Sequence, residues 1–302
     1  MFQFLNSTEK DNELFYGNAS FDVDLRVKGN LNLPIIEGKI RVREGTNVTY
    51  VVPESQLDVE EREGVVIFVN REHPDAILSR NDNEETTAFF RGLDVKAILE
   101  IADDSNFNII IDKRTGDNLL VSGDASLNLN VEPNGRMQLT GRYELNSGHY
   151  ETNLYNLVKR RFLINPNSTI TWQGDPTNAK LDVTATYKVE TSAAPLMSTV
   201  VSSEDNSLTG KYRQVLPFLV YLNVDGELLE PKLSFGLDMP EDEQGYLGGA
   251  VYGRVQQLNQ QESELNKQVF SLLALNRFYP DAGSDGSIGG TAAIARDNVN
   301  KV

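Results

Sequence analysis

The chain of 302 residues contains no cysteine, which excludes a disulfide framework, a thiol nucleophile and thiolate metal sites. Histidine is also scarce, with two in the whole sequence, so the side chain best suited to acid–base chemistry near neutral pH is almost missing. Basic residues are outnumbered by acidic ones, and the net charge is −16. This charge argues against binding to nucleic acid and against electrostatic docking on anionic membrane surfaces.

Long apolar runs are absent too. No segment of the sequence approaches the roughly 20 continuous apolar residues of a membrane helix. The start of the chain, Met1 to Asn6, lacks the charged and apolar regions of a signal peptide. We therefore expect the chain as given to be soluble, and any membrane anchor to lie in a part of a longer parent protein outside it.

The clearest feature that is present is strict alternation of apolar and polar residues. From Ala19 to Lys28 every odd position is apolar and every even position is polar or charged. A period of two predicts a strand with one apolar face and one polar face. Similar short segments, separated by Gly, Pro and Asn turns, follow at Gly38–Arg43, Asn47–Val52, Val65–Val69, Asp94–Ile101, Phe107–Asp112, Leu119–Val121, Ala125–Val131, Met137–Leu145, Arg161–Ile164, Ile170–Trp172, Leu181–Val189, Pro217–Val224 and Lys232–Met239.

About fifteen strands exceed what one flat sheet carries without curling, so the fold class is mainly β, with a long, curled, mostly antiparallel sheet. Three stretches interrupt the alternation. Asn70–Thr87 is acidic and aperiodic and predicts a loop; Thr191–Gly210 is rich in Ser and Thr and predicts a flexible crossing; Gly283–Gly290 predicts a linker.

After Gly248 the period changes from two to spacings of three, four and seven. This pattern predicts an amphipathic helix, or two helices broken near Asn259 to Gln261. We therefore divide the chain into a β domain over residues 1–240 and a helical segment with a flexible tail over residues 241–302.

No catalytic group can be assembled from the sequence. His73 lies in the acidic loop and His149 in a predicted hairpin turn, and we interpret both as solvated. The acidic runs do not have the spacing of an EF-hand. We predict no catalytic residues, no metal site and no cofactor. An enzyme such as a β-helical polysaccharide lyase would need acid and base residues clustered on one exposed face, and the sequence offers no such cluster.

The alternating apolar faces have two interpretations. In a β-sandwich they bury each other, while in an open half-pipe they line a trough that something apolar must fill. Composition does not separate the two, and the residues alone favour the sandwich core. An open sheet would also leave edge strands that pair readily with a strand of another chain.

A family resemblance lies between Gly141 and Tyr187, where Gly-x-Tyr occurs twice and is followed by Phe-x-Ile, Ser-x-Ile-x-Trp, Gly-Asp-Pro and Ala-x-Leu-Asp-Val-x-Ala-x-Tyr. This order resembles the C-terminal domain of TamB proteins, bacterial envelope proteins of the AsmA-like, bridge-like lipid-transfer group. The resemblance covers most of the chain and is closest to the Bacteroidetes-type members.

The resemblance implies a U-shaped sheet, or β-taco, with an apolar interior and no enzymatic activity. It implies that the groove shields phospholipid acyl chains between the inner and outer membranes. It also implies that the domain supports outer-membrane protein assembly with TamA, a BamA-like outer-membrane barrel. The protein would lie in the periplasm, as a fragment of a longer parent anchored in the inner membrane. Stacked strands at about 4.8 Å each would give a trough of roughly 70 Å.

These expectations assign two sets of residues. The candidate lipid-binding residues are the apolar members of the alternating segments: Phe21, Val23, Leu25, Val27, Leu127, Leu129, Leu181, Val183, Ala185, Leu233, Phe235 and Leu237. The candidate partner-binding residues lie in the helical segment: Leu265, Val269, Leu272, Leu273 and Phe278.

The helical segment itself has two interpretations, a cap on the end of the sheet or a docking element for TamA, and we prefer the cap. An alternative function is an interaction scaffold. In it the sheet edge and the helix bind outer-membrane β-strands or TamA, and the trough is incidental.

Overall fold

A computed structural model describes residues 2–30, 33–52, 92–154, 158–198, 210–228 and 230–280. The predicted strand Val65–Val69, the predicted loop Asn70–Thr87 and the predicted linker Gly283–Gly290 lie outside the described residues. The same holds for His73 and for most of the predicted crossing between residues 199 and 209.

The described residues form thirteen strands in one sheet. The mainly-β fold class is therefore confirmed. The strands are β1 (Phe2–Ser7), β2 (Phe15–Asn30), β3 (Leu33–Val42), β4 (Asn47–Val51), β5 (Asp94–Ile101), β6 (Asn106–Asp112), β7 (Asp117–Val131), β8 (Met137–Leu154), β9 (Val158–Ile164), β10 (Ser168–Gly174), β11 (Ala179–Ser192), β12 (Val215–Glu227) and β13 (Glu230–Asp238).

The sheet order is β13-β12-β11-β10-β8-β7-β5-β3-β2-β4-β6, with β1 on β2 and β9 beside β10, between β8 and β11. Most neighbouring strands are antiparallel, but β3–β5 and β4–β6 are parallel pairs, so the sheet is mixed. The parallel pairs arise because β3 and β4 run in succession along the long strand β2, while β5 and β6 run in succession along the long strand β7. Both successions have the same direction, so β3 lies parallel to β5 and β4 lies parallel to β6.

Long strands alternate with pairs of short strands. The 15-residue strand β7 pairs with β5 along its second half and with β6 along its first half. The 18-residue strand β8 pairs with β10 along its first half and with β9 along its second half. The sheet therefore has two arms. Arm 1 contains β3, β5, β10 and the halves of the long strands that pair with them, and arm 2 contains β4, β6, β9 and the other halves. Between the arms lie corners at Arg43–Thr46, Ala102–Ser105 and Asn165–Asn167.

Because two short strands lie side by side along one long strand, the sheet is shorter across its strands than the sequence predicts. From β2 to β11, arm 1 is seven strands deep in the order β2, β3, β5, β7, β8, β10, β11. Six spacings of about 4.8 Å give about 29 Å. The predicted 70 Å is wrong for these strands, since it assigned a layer of its own to every short segment.

In the described part of the chain three α-helices and one 3-10 helix (Tyr246–Gly249) follow or interrupt the strands. The α-helices are α1 (Ala194–Met197), α2 (Ala250–Asn259) and α3 (Glu262–Leu275). The break between α2 and α3 lies at Gln260 and Gln261, where the sequence predicts it. The apolar positions Val251, Val255 and Leu258 of α2 are fully buried, as their spacing predicts.

Contacts divide the chain into two compact units. The first contains Met1–Tyr187 and Leu222–Ser234, and the second contains Lys188–Tyr221 and Phe235–Val302. The second unit therefore combines the C-terminal helices with parts of three strands. Its described core includes Phe218 and Phe278, whose rings meet edge to face with centroids 4.8 Å apart.

Three local expectations are wrong. Residues 119–131, predicted as two strands with a break at Ser122 to Asp124, lie in the single strand β7. His149, predicted in a turn, lies within β8 and pairs with Leu120 and Leu163. The start of the predicted flexible crossing is ordered, because it completes β11 and then forms α1, whose Leu196 is fully buried.

Candidate functional site

The register of arm 1 brings the apolar positions of seven strands onto one face. Pairing through successive strands aligns three rows across this face. The row nearest the corner is Phe21, Val42, Ile101, Ala125, Tyr143, Ile170 and Leu181; the next is Val23, Ile40, Leu99, Leu127, Gly141, Trp172 and Ala179; the third is Leu25, Gly38, Ala97, Leu129, Leu139 and Gly174. We call this surface the inner face.

The opposite face of the same strands is polar and charged. Lys28 and Glu37 form an ion pair at 2.7 Å across β2 and β3. Glu100 of β5 accepts from Lys39 at 2.7 Å and from Arg41 at 2.9 Å. Hydrogen bonds from these two cations lower the pKa of Glu100 below its usual range. These charged side chains face water, so the inner face is the apolar side of the sheet.

Arm 2 has an apolar face of its own, and it meets the inner face of arm 1. In arm 2 the register places Val48, Phe107, Val121 and Gly148 in one row, with Phe162 and Ile164 on the same side of β9. The ring of Phe107 lies edge to face against Tyr143 of arm 1, with centroids 6.3 Å apart. Strand β6 does not pair with the arm 1 half of β8, which contains Tyr143. The ring contact therefore shows that the two arms turn toward each other across the corner.

Polar side chains hold the corner. Ser122 donates its hydroxyl to the carbonyl of Asp103 at 2.6 Å, and the side-chain amide of Asn146 donates to the carboxylates of Asp103 and Asp124. At the next corner along the sheet, the hydroxyl of Ser168 accepts from the backbone N–H of Thr184 at 3.1 Å. The bonds of Ser122 and Ser168 satisfy backbone groups at the bend, and those of Asn146 join side chains across it.

The inner face is closed on its central strands and open at β2. Val42, Leu127 and Tyr143 are at most 5 % exposed. Toward the free end of β2, by contrast, Val23, Leu25 and Val27 are 48 %, 37 % and 68 % exposed. Burial among apolar neighbours also raises the pKa of the Tyr143 phenol well above its usual range. The surface is therefore a packed core on the central strands that continues into an uncovered apolar stretch of β2.

The structure brings most of the predicted lipid-binding residues together. Phe21, Val23, Leu25, Val27, Leu127, Leu129 and Leu181 share the inner face through the strand register. Val183 and Ala185 follow Leu181 at alternate positions of β11, and Ala185 pairs with Ile164 of arm 2. Leu127, Leu181 and Ala185 are buried, so the accessible part of the set is on β2.

The remaining three predicted residues belong to β13, which follows β12 and β11 in the order of the sheet. Leu233 is exposed, whereas Phe235 and Leu237 lie in the second unit, and Leu237 is fully buried there. Its backbone N–H donates to the side-chain oxygen of Asn259 at 3.0 Å, and its carbonyl accepts from the Asn259 amide at 2.8 Å. The C-terminal helix α2 thus covers this position of β13.

The predicted partner-binding residues Leu265, Val269, Leu272, Leu273 and Phe278 are all buried in the second unit. These side chains therefore pack inside this unit, and the choice between a cap and a docking element stays a prediction. The apolar side chains that α3 exposes are Phe270 and Leu275, which the sequence pattern did not single out. Phe270 lies off the buried stripe of α3, and its position in the helical period was the signal that the sequence offered.

Sequence reasoning also missed the residues that β3, β5, β8 and β10 add to the inner face, among them Ile40, Leu99, Tyr143 and Trp172. Each stands at an apolar alternate position, but only the pairing register decides which strands share a face. The one tryptophan is fixed on this surface by a hydrogen bond from its indole N–H to the carbonyl of Pro176, at 3.0 Å.

His149 is the histidine in the described part of the chain, and Arg161 and Glu151 are the charged groups that act on it. Partial burial, with a smaller contribution from Arg161, lowers its pKa below the usual range. Within the described part of the chain, no group of three or more acidic or histidine side chains is placed to hold a metal ion. None of the described helices has both the length and the apolar character needed to cross a membrane.

One comparison with known proteins is informative. The family model described as the TamB C-terminal domain matches residues 1–302, the whole chain. No curated protein matches the chain.

Proposed function

The chain belongs to the TamB family, whose members are cell-envelope proteins of the translocation and assembly module, and from this premise we propose that its inner face shields phospholipid acyl chains. The domain would work in the periplasm, in a parent protein anchored in the inner membrane. It would carry lipid between the two membranes and support outer-membrane protein assembly with a TamA-like barrel.

The observation that carries this proposal is the continuous apolar inner face with its uncovered end. Seven strands present aligned apolar side chains, and the opposite face of the same strands is charged. Single exposed apolar residues are ordinary on protein surfaces, but three consecutive inner positions of one strand, adjoining a buried apolar face, form a site for an apolar guest.

Size and energy are compatible with an acyl chain. An acyl chain spans about half of the roughly 30 Å hydrocarbon core of a bilayer. The uncovered inner positions of β2, from Val23 to Val27, span about 13 Å along the strand. Covering the remaining exposed surface of Val23, Leu25 and Val27 contributes about 0.5–1.5 kcal/mol for each residue. A headgroup would stay in water, since the inner face presents no charged row.

The test compares two substitutions that are matched in exposure and in chemistry. Leu25 is 37 % exposed on the inner face, and Ile98 is 38 % exposed on the polar face. We expect Leu25→Asp to lower the phospholipid that co-purifies without detergent, as measured by native mass spectrometry, because a carboxylate there must be desolvated by the guest. Ile98→Asp should leave the bound lipid unchanged. Equal lipid in both folded variants would refute the proposal.

A second candidate function, the interaction scaffold, is favoured by one observation. Phe270 of α3 is 50 % exposed although the helix buries its apolar stripe, so this helix presents an apolar side chain outward. If α3 docks on a TamA-like barrel, Phe270→Ser should reduce co-purification of that barrel while bound phospholipid stays at the wild-type level. A variant that keeps the barrel and loses the lipid would contradict the scaffold.

A further inference from the structure

Arm 2 carries a cleft on the face of its strands opposite to Phe107. The register aligns Tyr16 of β2 with Asn108 of β6 across β4, and it pairs Ile110 of β6 with Asn118 of β7. The volume of the cleft is about 400 Å³, which is enough for a small molecule. We call it the arm 2 cleft, and its lining comes from these strands and from the two hairpin ends beside them: Glu9, Tyr16, Asn108, Ile110, Lys113, Gly116 and Asn118.

The two charged side chains of the arm 2 cleft are paired with each other. The amine of Lys113 donates to the carboxylate of Glu9 at 2.9 Å and to the carbonyl of Glu13 at 3.5 Å. The bond to Glu9 raises the pKa of Lys113 above its usual value, so the amine keeps its proton. Because this cation and this anion offset each other, the lining has no net charge with which to attract an ionic ligand.

The neutral polar side chains of the cleft keep hydrogen-bonding capacity. Among the residues that the structure describes, the Tyr16 hydroxyl and the Asn108 amide have no hydrogen-bond partner. Asn118 donates its amide to the carbonyl of Gly116 and to the carboxylate of Glu151, both at 3.0 Å, and its side-chain oxygen is left to accept. The half-buried cleft therefore offers a hydroxyl, an amide donor and two amide oxygens.

We propose that the arm 2 cleft binds an uncharged sugar residue. Each sugar hydroxyl both donates and accepts a hydrogen bond, so a sugar can match a mixed set of donors and acceptors. The carbon skeleton of its ring would lie against the apolar parts of the lining, the Tyr16 ring and Ile110.

The other classes of ligand fit this lining less well. An ionic ligand would compete with the bond between Glu9 and Lys113, because each charge already has its partner. An apolar guest would cover the Tyr16 hydroxyl and the Asn108 amide without replacing their bonds to water, and that loss is unfavourable. The side chains of Glu9 and Lys113 are 57 % and 41 % exposed, so the cleft is open at this rim and a single sugar should bind weakly.

The experiment is an NMR titration of the full 302-residue chain with glucose and, separately, with N-acetylglucosamine. The side-chain amide signals of Asn108 and Asn118 are followed, and each is identified by its loss in an Asn→Ala variant. For at least one of the two sugars we expect saturable shifts of both signals, with a dissociation constant in the millimolar range. Asn108→Ala and Tyr16→Phe should each raise that constant at least several-fold, as measured at Asn118.

Two matched controls lie outside the arm 2 cleft. Asn128→Ala changes an exposed asparagine on the polar face of arm 1, where Asn128 pairs with Ile98. Tyr50→Phe removes a hydroxyl from the strand next to β2, on the face that also carries Phe107. Both variants should bind the sugar as the wild type does, because neither removes a group that lines the cleft.

Three results would overturn the proposal. The first is the absence of shifts at Asn108 and Asn118 with both sugars at concentrations well above the millimolar range. The second is an unchanged dissociation constant in folded Asn108→Ala and Tyr16→Phe. The third is tighter binding of glutamate or of inorganic phosphate than of either sugar, which would make the cleft an ion site. The proposed lipid function is tested separately by bound phospholipid, since the cleft lies on the opposite face from Phe107.

Discussion

Glycine has an unexpected place at the scale of single residues. Gly38 lies in the middle of β3 with φ +153°, and a Cβ there would come within 2.0 Å of the carbonyl oxygen of Asp24. Gly148 of β8 is similarly close to the backbone, with a Cβ position 2.2 Å from the carbonyl oxygen of Leu120. At these points glycine permits close strand pairing and does not mark a turn.

Replacing Gly38 tests this role against a matched control. Gly38→Ala should lower the free energy of unfolding by about 2–5 kcal/mol. Alanine would have to adopt the positive φ of this position, and its Cβ would clash with the backbone of β2. Gly174 has a similar φ of +148° and nothing within 4 Å of its Cβ position. Gly174→Ala should therefore cost only about 1–2 kcal/mol. Urea denaturation measures both, and equal costs would contradict the close-approach account.

At the scale of the element, side-chain amides take over backbone bonding where strands and helices end. Gln268 of α3 is fully buried, and its amide donates to the carbonyl of Tyr279 at 2.9 Å while its oxygen accepts from the Tyr279 N–H at 2.9 Å. Ser271 donates to the carbonyl of Arg277 at 2.7 Å. These bonds fix the segment after α3 and hold Phe278 in the core of the second unit.

Gln268→Met keeps the length of the side chain and removes both bonds to Tyr279. We expect a loss of about 1–3 kcal/mol in the free energy of unfolding, because a buried N–H and C=O lose their partners. Hydrogen exchange at the Tyr279 amide should become faster. Gln256→Met, at an exposed position of α2, is the control and should change neither quantity. Unchanged exchange at Tyr279 in the Gln268 variant would show that the two bonds do not hold this segment.

The strands also show how much of the fold the sequence predicts. Perfect alternation predicts β2 and the bounds of β5, Asp94–Ile101, because a half-buried strand needs period two. Local turn residues misled the interpretation at Ser122 to Asp124 and at His149, where pairing with neighbouring strands overrides the local preference of glycine. The pairing of two short strands with one long strand depends on the register between them, and no single segment of the sequence predicts it.

At the scale of the whole molecule, family membership and fold agree on an envelope protein built on one large sheet. The choice between a sandwich core and an open trough has a mixed outcome in the first unit. On the central strands the side chains of the two arms pack against each other, as at Phe107 and Tyr143, and at β2 the inner face is uncovered. The bacterial group to which the closest resemblance points stays a prediction.

The measurement that most directly tests the central claim places a photo-cross-linking amino acid in the living bacterium at Val27 and, separately, at Leu163. Val27 is 68 % exposed on the inner face, while Leu163 is 59 % exposed on the side of β9 opposite to Phe162 and Ile164. Mass spectrometry then detects phospholipid adducts. The account predicts abundant adducts at Val27 and few at Leu163. Equal adducts at the two positions, or none at Val27, would contradict it.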